Sequence, residues 1–241
     1  MSKAFSVVYE DNHLIIVNKR SGILVQGDKT GDTPLSEHVK EYLKEKYNKQ
    51  GNVFTGVVHR LDRPVSGLVL LAKTSKALER MNAQFRNKEI EKTYYALLED
   101  TPVQQVGHIR SWLIKDPVRN ITRSHHKEVP KGLLSELDYK VIHVLDGICM
   151  VEVKPITGRP HQIRVQLAGI GCPIIGDLKY GNKLTMDDGS ICLHAGKLKF
   201  MHPVKKELIE VFAGLPNNHF WNKFRLVEGD NLFFGDFKFK E

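Results

Sequence analysis

Short apolar runs rich in β-branched residues recur along the chain, and they constrain the fold more than any other feature. Each run is bounded by glycine, proline, asparagine or aspartate, which is typical of strands. The predicted strands are Phe5–Tyr9, His13–Asn18, Gly67–Ala72, Thr93–Leu98, Asp138–His143, Ile148–Lys154, Ile191–Phe200 and Leu208–Phe212. Asp146-Gly147 lies between two of them and predicts a tight hairpin turn, because these residues tolerate positive φ angles.

Apolar residues at helical spacing predict three helices. They lie around Leu35–Leu43, after Ser75 as the N-cap of a segment reaching Phe85, and around Ile163–Ile170. The strands outnumber the helices and do not alternate regularly with them. We therefore expect an α+β fold with a central, mainly antiparallel mixed sheet flanked by helices. No repeat, low-complexity tract or linker interrupts the chain, so we expect a single domain over residues 1–241.

The composition restricts the partners and the location of the protein. A formal net charge of +8 favours polyanionic partners. The chain has no apolar run of about 18 residues, so we expect no membrane span. The N-terminal residues lack the pattern of a signal peptide, which makes the cytoplasm the expected location. The three cysteines have no CxxC spacing, so neither a disulfide framework nor a zinc site is expected.

The stretch from Val57 to Leu71 places an acid, Asp62, in a turn between two very apolar segments. Arg60 and Arg63 flank it, and their positive charges favour the ionised carboxylate. From residue types alone, Asp62 is either a catalytic acid held rigidly between core strands or a structural partner that ties down a loop.

A second stretch opens the third predicted helix with Gly158-Arg159-Pro160. His161, Gln162 and Arg164 fall in its first turns, where free N–H groups and the helix dipole favour an anion. An arginine at that place can pair bidentately with a carboxylate or a phosphate. An ordinary exposed helix start is the alternative. The glycine-punctuated stretch from Gly171 to Gly181 must make tight turns.

Five blocks of residues occur in an order that closely resembles the RluA family of pseudouridine synthases. The blocks are His59-Arg60-Leu61-Asp62 with Ser66-Gly67, Lys92-Thr93-Tyr94, Gly158-Arg159-x-His161-Gln162-Ile163-Arg164-Val165, Gly171-x-Pro173-Ile174-x-Gly176-Asp177-x-x-Tyr180-Gly181, and Leu193-His194-Ala195 with His202-Pro203. The resemblance runs from about residue 8 to residue 213. Val65 and Glu99 depart from the family pattern, but neither is a chemical residue.

The resemblance implies a role for each matching residue. Asp62 matches the catalytic aspartate, Arg164 matches the arginine that pairs with it and orients it, and Tyr94 matches the tyrosine that packs on the target base and removes the proton from C5. The other positions expected to bind RNA or line the uracil pocket are Arg60, His59, Arg63, Lys92, Arg159, His161, Gln162, Ile163 and Leu193.

The implied reaction isomerises uridine to pseudouridine in RNA and is redox-neutral, so we expect no cofactor and no metal. The target uridine in ribosomal or transfer RNA would be flipped out of a loop. We expect a monomer without a separate N-terminal S4 RNA-binding domain. Asp62 could act as nucleophile, electrostatic stabiliser or 2′ base. A non-catalytic RNA-binding or assembly factor on the same scaffold is the alternative function.

The segment from Pro102 to Leu134 is polar and basic. Its composition indicates a weakly structured excursion from the sheet. It is either a solvated surface loop or an arm that contacts RNA.

Overall fold

The computed structural model describes residues 4–28 and 30–224, which fall into two compact units. Of the described residues, the first unit takes those up to Glu91 together with Lys197–Ala213, and the second takes Lys92–Gly196 and those from Gly214 onward. The single domain expected over residues 1–241 stays a prediction. The aromatic C-terminal tail, residues 233–239, lies outside the described residues.

The first unit is built mainly from antiparallel strands with two helices. Its elements are β1 (Phe5–Glu10), β2 (Leu14–Lys19), α1 (Leu35–Lys46), β3 (Gly56–Val57), β4 (Ser66–Ala72) and α2 (Ser75–Arg86), together with β11 (Leu208–Phe212), which pairs with the end of β10 (Leu193–Met201). β1 pairs with β2, and β2 and β3 pair with β4, in each case antiparallel.

The core of the first unit lies between its strands and α2. Every residue of β4 is buried. Leu68 and Leu70 of β4 pack with Met81 of α2 and with Phe200 of β10. This packing holds β4 rigidly, and β4 begins just after the turn that carries Asp62.

The second unit contains a longer antiparallel arrangement. Its elements are β5 (Glu91–Leu98), β6 (Val106–Asp116), β7 (Ile121–His125), β8 (Leu133–Leu145), β9 (Ile148–Pro155), α3 (Gln162–Gly169), a 3₁₀ turn (Leu178–Tyr180) and α4 (His219–Asn222). Within this unit the strand order is β5-β9-β8-β6-β7. Asp146 and Gly147 have φ angles of 50° and 75° and close the β8–β9 hairpin, as predicted.

The prediction of weak structure between Pro102 and Leu134 was wrong, because this segment contains β6, β7 and the first residues of β8. β6 alternates between exposed side chains, such as His108 and Arg110, and less exposed ones, such as Leu113. Ser111 on β6 and Thr122 on β7, both small polar residues, are buried. A strand whose inner face includes serine and threonine has little apolar signal, so the sequence pattern missed it.

The helices agree with their predicted positions, with one correction at a cap. Thr74, and not Ser75, is the N-cap of α2, since its side chain accepts a hydrogen bond from the N–H of Ala77. Together the elements confirm an α+β fold with mainly antiparallel strand pairing. No helix among the described residues is both long and apolar enough to cross a membrane.

Candidate active site

The acidic turn, residues 61–64, lies between β3 and β4 and carries Asp62. Leu61 and Val65 on either side of Asp62 are buried. The N–H of Val65 donates to the carbonyl of Asp62 over 3.1 Å. Asp62 itself is half-buried. Two apolar anchors and a backbone hydrogen bond therefore fix the residue that carries the carboxylate.

Lys19 fastens the acidic turn from inside the first unit. Its ammonium donates to the carbonyls of Arg20, Ile23 and Arg63 at 2.9, 2.8 and 3.3 Å. Burial lowers the pKa of Lys19 to about 7, although the charge of Asp62 acts to raise it. Three carbonyl acceptors match the three hydrogens of an ammonium. Lys19 thus joins the loop after β2 to the acidic turn.

Arg63 of the acidic turn and Arg60, which directly precedes the turn, are exposed and contact the loop that follows β2. Arg63 donates from Nε to the carbonyl of Gly22 over 3.0 Å, and its Nη1 lies 2.8 Å from the carboxylate of Asp32. Arg60 Nη1 lies 3.4 Å from Oε1 of Gln26. Both guanidinium groups are at the surface, where a polyanion could reach them.

His59, predicted to bind RNA, packs inside the first unit. Its Nε2 accepts a hydrogen bond from the backbone N–H of Leu70 over 3.1 Å. Its ring stacks on Phe85 of α2, with 5.0 Å between ring centroids. Because a backbone N–H always donates, Nε2 carries no proton and the imidazole is neutral. The His59 ring thus serves as hydrogen-bond acceptor for Leu70 of β4, just past the residues of β4 that pair with the short strand β3. This geometry favours a role for His59 in positioning the backbone.

Lys92 and Tyr94 lie at the start of β5 in the second unit. They alternate with the buried Thr93, so both lie on the opposite face of the strand from it. Tyr94 is half-buried and pairs with Val153 of β9. Burial lowers the pKa of Lys92. A Cβ atom at Gly158 would lie 3.7 Å from Lys92 Nζ, which places the ammonium beside the turn that precedes α3.

Arg164 lies on α3 and is held by Asp177, a carboxylate for which the sequence alone predicted no role. Its Nε and Nη2 donate to the two oxygens of Asp177 over 2.7 and 2.8 Å. Both side chains are buried, with 6% and 1% of their surface exposed. The guanidinium carbon also lies 5.1 Å from the ring centroid of Tyr180. This bidentate pair fixes the plane of the guanidinium.

Asp177 is presented by the glycine-punctuated loop, which makes the tight turns predicted for it. Gly176 has a φ angle of 87°, and a Cβ atom there would lie 2.8 Å from the carbonyl oxygen of Ser190. Asn182 accepts the N–H of Gly176 over 3.1 Å. The N–H of Ile175 donates to Leu97 of β5 over 2.9 Å. The loop is therefore fastened to the same strand that carries Tyr94.

Gln162, predicted to bind RNA, is buried at the start of α3 and bonded within the protein. Its Oε1 accepts from the hydroxyl of Thr157 over 2.8 Å and from the N–H of Arg159 over 3.0 Å. Its Nε2 donates to the carbonyl of Glu136 over 3.0 Å. Gln162 thus shapes the turn that presents Arg159, whose side chain is exposed.

The remaining predicted pocket residues also belong to the second unit. Ile163 and Leu193 are buried. His161 is half-buried and has a positive φ angle of 56°, and its ring contacts Tyr180. Among the described residues, no group of three or more His, Cys, Asp or Glu side chains is placed to hold a metal ion.

Sequence reasoning missed Asp177 and Lys19, although a signal for Asp177 was present. A buried arginine on a short, largely apolar helix requires a buried acid, because an unpaired charge is strongly destabilising there. Asp177 stands in a turn between Gly176 and Gly181, close after α3 in sequence. For Lys19 the sequence holds no signal, because its acceptors are carbonyl groups.

The sequence matches known RNA pseudouridylate synthases over most of its length. Residues 13–169 match the family described as RNA pseudouridylate synthase. The chain is 34% identical over 215 residues to the ribosomal large subunit pseudouridine synthase C of Vibrio cholerae, an alignment that covers 87% of this chain and 65% of that protein. The relative of the same description from Rickettsia prowazekii is 34% identical over 212 residues, covering 87% of this chain and 68% of that protein. The chain therefore spans about two thirds of the length of these relatives.

Two solved structures have the same fold. The human RNA pseudouridylate synthase domain containing 4 aligns with a TM-score of 0.74 and 22% identity, over 88% of this chain and 89% of that one. The human RNA pseudouridylate synthase domain containing 1 aligns with a TM-score of 0.69 and 24% identity, over 89% and 84%. These alignments confirm the pseudouridine synthase fold, and with the sequence matches they establish that this chain belongs to the RNA pseudouridylate synthase family.

Proposed function

We propose that this protein isomerises uridine to pseudouridine in RNA, with Asp62 as its catalytic carboxylate. The observation that carries the proposal is the match to the RNA pseudouridylate synthase family over residues 13–169, a range that contains Asp62 in a rigid turn. Asp62 is half-buried, and the buried ammonium of Lys19 acts on it electrostatically.

Each predicted catalytic residue would have a separate task. Cleavage of the bond between N1 of uracil and C1′ of ribose needs an ionised carboxylate close to the sugar, and Asp62 would supply it. Formation of the C5–C1′ bond then leaves a proton on C5, and Tyr94 would remove it. An ordinary tyrosine has a pKa near 10, so that step needs a lowered pKa or a proton shuttle. Arg164, held by Asp177, would orient the Asp62 carboxylate.

Ribosomal RNA is the substrate that we propose. Several relatives at 34–35% identity are described as ribosomal large subunit pseudouridine synthases. The net charge of +8 suits a long polyanion, whose phosphates release counterions when they are bound. The exposed Arg60 and Arg159 are the best placed predicted contacts, whereas His59 and Gln162 would position the backbone. Flipping of the target uridine, a cytoplasmic location and a monomeric state stay predictions.

The test is a map of pseudouridine in ribosomal RNA from cells with and without the gene. Loss of one or more sites on deletion, and their return with the wild-type gene, would support the function. Complementation with the Asp62→Asn variant should restore no site, since the amide is isosteric but uncharged. The matched control is Asp32→Asn, which removes a surface aspartate that pairs with Arg63 and should restore every site.

The rival function is a non-catalytic RNA-binding or assembly factor. It predicts an unchanged pseudouridine map and equal complementation of any growth defect by wild type and by Asp62→Asn. That pair of results would exclude the synthase function, and it would also show that Asp62 is not needed for the biological role.

A further inference from the structure

The β6–β7 hairpin of the second unit presents a basic, rigid tip. Residues 115–127 contain four lysines or arginines and a single carboxylate. Arg119 and Arg123 are exposed, and the side chain of Val118 is 92% exposed. Asp116 accepts the backbone N–H groups of Val118 and Arg119, each over 3.0 Å. The tip therefore displays cations on a fixed turn.

One rung of this hairpin is fastened to the start of α3. Lys115 and Thr122 face each other across the ladder. The backbone N–H of Thr122 donates to the hydroxyl of Tyr180 over 2.8 Å, and its own hydroxyl donates to the carbonyl of Pro160 over 2.9 Å. Lys115 Nζ lies 3.3 Å from Nε2 of His161. Both strands of the hairpin are thus bonded to the residues just before α3.

Tyr180 and His161 complete the connection. Nδ1 of His161 lies 2.7 Å from the hydroxyl of Tyr180. If Nδ1 carries the proton, the Tyr180 oxygen accepts from both His161 and Thr122, and Nε2 is left to accept from Lys115. His161 has a left-handed backbone, with a φ angle of 56°. Such a conformation persists only where the surrounding contacts determine it.

The same tyrosine touches the arginine assigned to orient the catalytic carboxylate. Its ring lies 5.1 Å from the guanidinium carbon of Arg164. The N–H of Tyr180 donates to the carbonyl of Asp177 over 3.1 Å. Tyr180 is therefore one of the links between the hairpin and Arg164, with its hydroxyl directed to the hairpin and its ring directed to the arginine.

We propose that Tyr180 is a positioning residue that sets RNA affinity by clamping the β6–β7 hairpin to the first turn of α3. The proposal rests on the synthase function proposed above. The hairpin cations would bind RNA phosphates, and the clamp would hold them at a fixed distance from Arg159 and Arg164. Preorganised contacts bind more tightly, because less freedom is lost on binding.

The Tyr180→Phe variant tests the clamp because it removes the hydroxyl and keeps the ring beneath Arg164. With ribosomal RNA from cells that lack the gene as substrate, we expect KM to rise about tenfold and kcat to change less than about twofold, as for the loss of one or two neutral hydrogen bonds. Tyr139→Phe is the matched control. Tyr139 lies on β8 in the same unit, and its loss of a hydroxyl should leave both constants unchanged.

A double-variant cycle distinguishes the clamp from a general structural role. Replacing Arg119 and Arg123 together by alanine should raise KM and reduce its salt dependence. Adding Tyr180→Phe to that variant should raise KM no further, since the clamp acts through those cations. His161→Asn, which tolerates a left-handed backbone, should reproduce the Tyr180→Phe effect if the latter protein folds poorly.

Three outcomes would overturn the proposal. A fall in kcat at constant KM for Tyr180→Phe would show that Tyr180 acts on Arg164 instead. Additive effects in the cycle would show that the clamp does not act through the hairpin. An unchanged KM for the hairpin double variant would show that the hairpin does not bind RNA, and turnover in that variant would leave the synthase function standing.

Discussion

The acidic turn around Asp62 and the buried pair of Arg164 with Asp177 are held by different kinds of interaction. Asp62 is half-buried in a turn that is fixed by backbone hydrogen bonds and by one lysine that donates to carbonyl groups. Arg164 is buried and forms a bidentate charge pair with Asp177. We therefore expect the two predicted catalytic residues to respond differently to substitution of their supports, since several weak contacts hold the turn and a buried charge pair holds Arg164.

The largest effect is expected from Asp177→Asn. The amide keeps the shape of the side chain but removes its charge, which takes from the buried Arg164 the carboxylate that it contacts at 2.7 and 2.8 Å. Breaking one side of a buried pair costs about 3–5 kcal/mol, so we expect a loss of that order in the free energy of unfolding, measured by urea titration. Asp32→Asn is the control, because Asp32 pairs with Arg63 at the surface and surface pairs contribute about 1 kcal/mol or less. Equal losses for the two variants would contradict the distinction drawn above.

A smaller effect on stability, with a clear effect on rate, is expected from Arg164→Lys. The charge remains, but an ammonium cannot span both oxygens of Asp177, so the plane that orients the site is lost. We expect the turnover rate to fall about 10–100-fold, as when a catalytic group is slightly misplaced. Single-turnover kinetics with saturating enzyme measures it. A normal turnover rate for Arg164→Lys would mean that the bidentate pair of Arg164 with Asp177 contributes to stability alone.

The smallest effect is expected from the support of the acidic turn. Burial lowers the pKa of Lys19 to about 7 from an ordinary 10.5. Between these pH values the unfolded chain binds more protons than the folded chain, so stability rises with pH and is lost again as the pH falls through 7. Each pKa unit is worth about 1.4 kcal/mol. Urea titrations at pH 7 and pH 9 should show this rise in the wild type and a weaker one in Lys19→Met. Equal slopes would show that Lys19 does not titrate in this range.

The parts of the fold that the sequence predicted are those where burial and turn chemistry leave a local mark. The strand over Leu208–Phe212 was placed at its observed bounds, and the Asp146-Gly147 turn closes the hairpin expected of it. The β6–β7 hairpin was missed because buried Ser111 and Thr122 replace apolar residues on its inner face. The pattern of apolar residues cannot reveal a strand whose inner face carries serine and threonine hydroxyl groups that are hydrogen-bonded to neighbouring elements.

The site shows the same division between local and distant information. Motif order predicts roles for Asp62, Tyr94 and Arg164, but it does not indicate which way each neighbouring side chain points. His59 and Gln162 bond within the protein, in part to the backbone of Leu70 and Glu136, which lie 11 and 26 positions away in sequence, and only coordinates reveal this. Tyr180 belongs to a sequence motif, but the motif does not reveal its hydrogen bond with Thr122, which lies 58 residues away in sequence.

Lys19 gives the acidic turn a buried cationic group that binds backbone carbonyl oxygens, a role that a bound metal ion fills in many proteins. Three carbonyl oxygens surround its ammonium, an arrangement like the one in which carbonyl rings replace the hydration shell of potassium in channels. Here the cation is tethered covalently to β2, so it cannot be diluted, exchanged or chelated. We therefore expect the turn to keep its order without bound potassium or magnesium, even while those ions compete for the RNA.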